Sequence, residues 1–230
     1  MLFITYRPWE AQDKIGLPID IEQTYTEVFN EKKPMEALNS RDWRRYSRHH
    51  DGVPVPPEFK LPPHLIMVCK GLRKFNPDFF TQTITEWIVS APFLAFLKKH
   101  QLLEGYYEES TLSVVSTANK SIVTKQYHFL RIIKNDNDLI DFEKTPKVIS
   151  PKKRLTKHTP PTMYYPDLIF KEGVEIPKML FLDDPSYWYS FICTAEIKEE
   201  MEHLAFLGFD FYTLADYVSM RLEREKIFAR

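Results

Sequence analysis

A chain of 230 residues, 43% hydrophobic and 27% charged, has the composition of a globular protein with room for a substantial core. Thirty-one Lys and Arg against 32 Asp and Glu leave a net charge of −1, so no global field draws it to nucleic acid or an anionic membrane. No apolar run approaches the roughly 18 residues of a membrane span. The opening residues Met1–Pro8 lack the basic leader and cleavage site of a secretory signal, so a soluble, cytoplasmic protein is expected.

Residues 1–63 carry Pro8, Pro18, Pro34, Pro54, Pro56, Pro57, Pro62 and Pro63. Proline fixes φ and removes a donor, which predicts an irregular segment wrapped over a core in extended pieces, with a short helix near 34–46. Leu65–Lys70 is the first clear strand, and Cys69 within it is expected to behave as a small buried hydrophobe, as is Cys193. Thr85–Val89 is strand-like. Ser90 then caps a helix with Pro92 in its first turn, and Phe93, Phe96, Leu97 and His100 fall on one face. Leu112–Ser116 and Ser121–Ile133 read as a hairpin around Ala118–Lys120, and Leu139–Glu143 as a short strand after the polar run 135–138. Residues 144–162 combine Pro146, Pro151, Pro160 and Pro161 with Lys147, Lys152, Lys153, Arg154 and Lys157, which predicts a basic surface loop. Ser190–Cys193 is a strand, Thr194 a second cap, and Ile197, Met201 and Leu204 the stripe of a helix that stops at Gly208 before a strand at 209–211.

Aligning Ser90 with Thr194 superposes two strand-helix-Gly-strand segments, near 86–107 and 190–211, with Gly105 and Gly208 at offsets of 15 and 14 from the caps. The expected architecture is α+β: a mixed sheet with two similar strand-helix-strand units and a proline-rich N-terminal wrap. The expected division is a segment 1–84 packed on a domain 85–230.

With six glycines and no G-x-S-x-G, G-x-x-x-x-G-K or G-x-G-x-x-G, nucleophile-elbow, P-loop and dinucleotide enzymes are not indicated. There is no H-E-x-x-H, and Cys69 with Cys193 makes no ligand pair. His49-His50-Asp51 reads as a turn. Asp136, Asp138 and Asp141 resemble half a calcium loop but lack its Gly, and Lys147 stands where the closing Glu belongs. No catalytic residue, metal or cofactor is therefore expected.

Two stretches suit partner contact. Asp183, Asp184, Tyr187, Trp188 and Tyr189 combine carboxylates with three consecutive rings in a turn, although alternate rings have the option of entering the core. Arg44 and Arg45, within the run Arg41–His50, interleave with Trp43 and Tyr46, an arrangement that also occurs on single-stranded nucleic-acid platforms. Lys152, Lys153 and Arg154 of the basic loop complete the candidate contact set.

The order Trp87–Ser90, Phe93, Leu97, Tyr107–Val115, Tyr127–Arg131, Ile140–Lys144, Phe181, Phe191–Thr194 and Gly208–Phe211 resembles bacterial immunity proteins of polymorphic toxin systems, encoded beside contact-dependent, Rhs-type or type VI secreted toxins. The resemblance covers about 85–215. It implies inhibition by binding, usually occlusion of a cognate toxin's active site, with no shared catalytic residues. The competing expectations are an enzyme with a non-motif active site that reverses a toxin-made modification, and a nucleic-acid adaptor using Arg41–His50.

Overall fold

A computed structural model describes residues 1–7, 21–39, 42–81, 83, 85–151 and 161–228. In chain order the main elements are strands β1 (Leu2–Tyr6), β2 (Glu22–Thr26), β3 (His64–Lys70), β4 (Phe79–Thr81) and β5 (Glu86–Ser90), helix α1 (Ala91–Lys99), strands β6 (Tyr107–Ser116), β7 (Tyr127–Ile132), β8 (Val148–Ile149), β9 (Met163–Tyr164), β10 (Met179–Leu180) and β11 (Ile192–Thr194), helix α2 (Ala195–His203), strand β12 (Asp210–Thr213) and helix α3 (Leu214–Phe228), with a single helical turn at Arg48–Asp51 where the sequence reads as a turn. The class is α+β. The chain divides into two compact units. One holds Met1–Arg7, Asn135–Leu204 and the chain from Asp210 on; the other holds the described residues between Arg7 and Lys134, together with Ala205–Phe209.

The second of these units is built on a six-stranded mixed sheet of order β2-β3-β6-β7-β5-β4, parallel between β3 and β6 and antiparallel elsewhere. Alternation decides what each face buries. Tyr25, Met67 and Val114 lie in register across β2, β3 and β6, and Leu65, Leu112 and Tyr127 across β3, β6 and β7. All enter one core with Trp43, Phe75, Phe80, Ile88 and Phe129. On the other face Trp87 and Val89 meet Phe79 and helix α1, whose Phe93 packs edge-on to Phe206 at 5.0 Å.

Arg131 ties residues 43–59 to this sheet. It is 5% exposed and donates to the carbonyls of Trp43 and Phe59, both at 2.7 Å, and to the Glu108 carboxylate on the neighbouring strand. Trp43 is thereby held in the core by a one-turn 3-10 helix, Trp43–Arg45, where a short helix near 34–46 is expected.

The other unit is built on an antiparallel sheet of order β10-β11-β1-β12 and the two-stranded β8-β9 pair. Ile4, Ile192 and Tyr212 are aligned across its centre and join a core with Tyr6, Tyr164, Tyr187 and Tyr217. Phe3 and Phe211 belong to the opposite alternation and take the Lys198 ammonium of α2 over their rings at 5.1 and 5.7 Å.

In both sheets the strand before a helix and the strand after the following Gly are separated by a single antiparallel strand: β5-β7-β6 in one, β11-β1-β12 in the other. The caps differ. Ser90 Oγ accepts from Phe93 N at 3.3 Å, whereas the Thr194 side chain makes no capping bond, so the cap expected there is positional only. The glycines differ too. A Cβ on Gly105 meets nothing within 4 Å, but on Gly208 it falls 2.1 Å from the Phe79 carbonyl oxygen.

Two local expectations are revised, and one element is added. The second hairpin strand begins at Tyr127 rather than Ser121, which makes only an isolated bridge to Val115. Residues 139–143 are not a strand. Asp141 uses its carboxylate on Lys144 N at 3.2 Å and its carbonyl on the Thr145 hydroxyl at 2.8 Å, a side-chain-stabilised turn that competes with extended pairing. The 15-residue helix α3 goes beyond the sequence reading: Leu214, Tyr217 and Val218 supply a buried stripe at i, i+3 and i+4, but i+7 is Arg221 instead of an apolar residue.

Candidate functional site

The turn 183–189 is organised by hydrogen bonds that leave little freedom. Asn137 bonds both the amide and the carbonyl of Asp183, at 2.9 and 3.1 Å. Asp184 accepts from Ser186 N at 2.9 Å and from the Tyr165 hydroxyl at 3.1 Å. Ser186 Oγ donates to the Met163 carbonyl, and the Tyr217 hydroxyl donates to the Ser186 carbonyl at 2.5 Å. These bonds divide the three consecutive rings. Tyr187 is 1% exposed; its hydroxyl donates to Tyr165 O at 2.9 Å and accepts from Tyr165 N at 3.0 Å, and burial pushes its pKa well up. Trp188 and Tyr189 face outward, 36% and 47% exposed, and Tyr189 sits at φ +73°, a left-handed conformation that costs a non-glycine residue roughly 1–3 kcal/mol. The turn therefore presents Trp188 and Tyr189 on a frame supplied by Asp184 and Tyr187.

Arg44 and Arg45 also separate. The Arg44 guanidinium lies over the rings of Trp43 and Tyr25, at 5.1 and 5.9 Å, and donates to the Tyr25 carbonyl. Its fork is partly committed. Arg45 is exposed and holds Asp42 at 3.6 Å, a surface pair worth at most about 1 kcal/mol. Lys152, Lys153 and Arg154 lie outside the described residues.

Two of the three carboxylates that suggested half a calcium loop, Asp136 and Asp141, are used structurally, and Asp138 is exposed. Asp136 is 1% exposed and accepts from Phe181 N at 2.8 Å, which pins residues 136 and 181 together. Burial pushes the thiols of Cys69 and Cys193 up to about 12, as expected of buried sulfhydryls.

One polar constellation escaped the sequence reading. On the six-stranded sheet Glu109 stands between the Lys98 ammonium, at 2.7 Å, and His128 Nδ1, at 3.0 Å. Thr111 beside it contacts His64 Nδ1 at 3.0 Å. Lys98 also lines a cleft of about 290 Å³ with Leu97, Gln101, Leu103, Glu104 and Tyr107. His128 is visible in the sequence only as one member of an alternating run; its cross-strand neighbour Thr111 and the helix end that brings Lys98 to Glu109 are set by register.

The model of the family described as Immunity protein 43 matches residues 10–221, nearly the whole chain. The chain belongs to the Immunity protein 43 family. It is thus an immunity protein of polymorphic toxin systems, and its general partner is a toxin. No curated protein matches it. Among the described residues, no helix is long and apolar enough to cross a membrane.

Proposed function

We propose that this immunity protein neutralises one cognate bacterial toxin in the cytoplasm by binding it stoichiometrically and occluding its active site. Family membership over residues 10–221 carries the reading. The turn 183–189 supports it and supplies an anchor: Trp188 and Tyr189 are exposed large rings on a turn whose neighbouring residues 184–187 are already hydrogen-bonded, so little backbone ordering opposes their burial. We assign Asp183 and Asp184 at the base of the turn as charged contacts, and Arg44, Arg45, Lys152, Lys153 and Arg154 as further charged contacts. Delivery of the toxin by a type VI, Rhs or contact-dependent system, in competition between bacteria, belongs to the same reading.

The test is to co-express the chain with the toxin encoded beside it, then measure co-purification, cell survival and toxin activity against molar ratio. Inhibition that saturates at one-to-one, and is weakened roughly thirtyfold by Trp188→Ala, supports occlusion. Full protection at far below one equivalent would overturn it in favour of an enzymatic reversal.

A further inference from the structure

Helix α3 carries two arginines one turn apart that converge on a single oxygen. Arg221 Nη1 and Arg224 Nη1 each donate to the Tyr6 hydroxyl at 3.3 Å, and Arg221 Nε donates to the Tyr164 hydroxyl at 3.4 Å. Both guanidinium groups lie over aromatic rings: Arg221 is 5.7 Å from the Tyr6 ring centroid and 5.8 Å from that of Tyr164, and Arg224 5.5 Å from that of Tyr6. The adjacent carboxylate, Glu225, accepts from that same Tyr164 hydroxyl at 2.7 Å and from the Ser150 hydroxyl at 2.5 Å, so it reaches Arg221 only through the hydroxyl.

Two permanent positive charges thus share one neutral acceptor, and among the described residues their polar partners are hydroxyls, not carboxylates. Arg221 Nη2 and Arg224 Nε and Nη2 keep donors to spend. Both side chains are half-buried, so a charge supplied from outside is met by little competing water. A planar guanidinium fork with rings beside it matches a planar carboxylate, which takes two parallel N–H bonds. We propose that Arg221 and Arg224, with Tyr6 as their pivot, form the seat for a carboxylate side chain of the bound toxin. This rests on the binding reading above and names the chemistry of one contact.

The experiment has two arms, both on the full chain. In the first, the Arg Nε–Hε resonances are followed by NMR during titration with succinate and, separately, inorganic phosphate. Saturable shifts at Arg221 and Arg224 with succinate, lost in Arg224→Gln, are expected; no saturable response, or a response to phosphate alone, overturns the carboxylate seat. In the second, Arg224→Gln weakens toxin affinity about tenfold or more at an unchanged thermal midpoint, and Arg224→Lys, which keeps the charge without the fork, restores only part of it. Wild-type affinity in Arg224→Gln refutes the role in binding. A toxin that fails to bind even the wild-type chain removes the binding reading, while the succinate titration still judges the site by itself. Arg224 is the position to vary because Arg221 is wedged among three tyrosine rings.

Discussion

Replacing Ser90 by Ala removes two bonds at once. Its hydroxyl accepts from Phe93 N at the start of α1 and donates to Asp78 Oδ1 at 2.5 Å, and the residue is fully buried. Asp78 is itself buried and also holds Lys125 at 2.8 Å and Leu207 N at 2.9 Å, so losing Ser90 leaves a charged acceptor short of one donor. A helix cap contributes about 1 kcal/mol, and a hydrogen bond to a charged group about 1.5–3 kcal/mol. Ser90→Ala should therefore cost about 2–4 kcal/mol. Thr194 occupies the corresponding place before α2, but its Oγ1 has no hydrogen-bond partner among the described residues. Thr194→Ala should stay within about 0.5 kcal/mol, because removing an unsatisfied buried hydroxyl relieves as much as it loses. Urea unfolding of both variants, with Ser90→Thr as a control that keeps donor and acceptor, measures the difference. Equal losses in the two alanine variants would refute the assignment of distinct roles to the two caps.

The two glycines separate in the same way. Gly208→Ala drives a Cβ into the Phe79 carbonyl at φ +120° and should cost more than about 3 kcal/mol, whereas Gly105→Ala, strained only by its φ of +75°, should cost about 1–2 kcal/mol; thermal melts of the pair decide it. Arg131→Leu leaves Glu108 and two carbonyls without their donor and should destabilise by about 3–5 kcal/mol, with amide exchange accelerating first at residues 43–59. Cys69 and Cys193 titrate near 12 when folded, above the ordinary thiol value of about 8.5. Their protonated forms belong to the native state, so this contribution is whole below about pH 8.5 and lost as pH rises towards 12. Tyr127, Tyr165, Tyr187 and Tyr217 are pushed the same way by burial. The urea midpoint should hold through neutral pH and fall above about pH 9, and a thiol reagent at pH 8 should label neither cysteine until urea is added; a midpoint that climbs with alkalinity would contradict this.

Local signals carried part of this protein. The cap at Ser90, the stripe of Phe93, Phe96 and Leu97, the strand at 65–70 and the burial of both cysteines are encoded within a few residues, because caps, periodicity and apolar runs act at short range. The resemblance to immunity proteins was legible from the spacing of such elements. What only the tertiary structure decided lies in pairings between distant residues. β1 joins β11 and β12 across nearly the whole chain, and register alone brings Glu109 to His128. Of three adjacent rings, Tyr187 goes inward because Tyr165 offers its hydroxyl both an amide and a carbonyl, and Trp188 and Tyr189 are left facing out. Arg221 takes a place on α3 where periodicity asks for an apolar side chain, because Tyr6 and Tyr164 arrive from elsewhere in the chain and join Tyr217, one turn back on the same helix, to surround it. A residue's neighbours in sequence set its backbone preference, but the partners that satisfy its polar atoms come from the fold, and they settle which side chains remain free to meet a toxin.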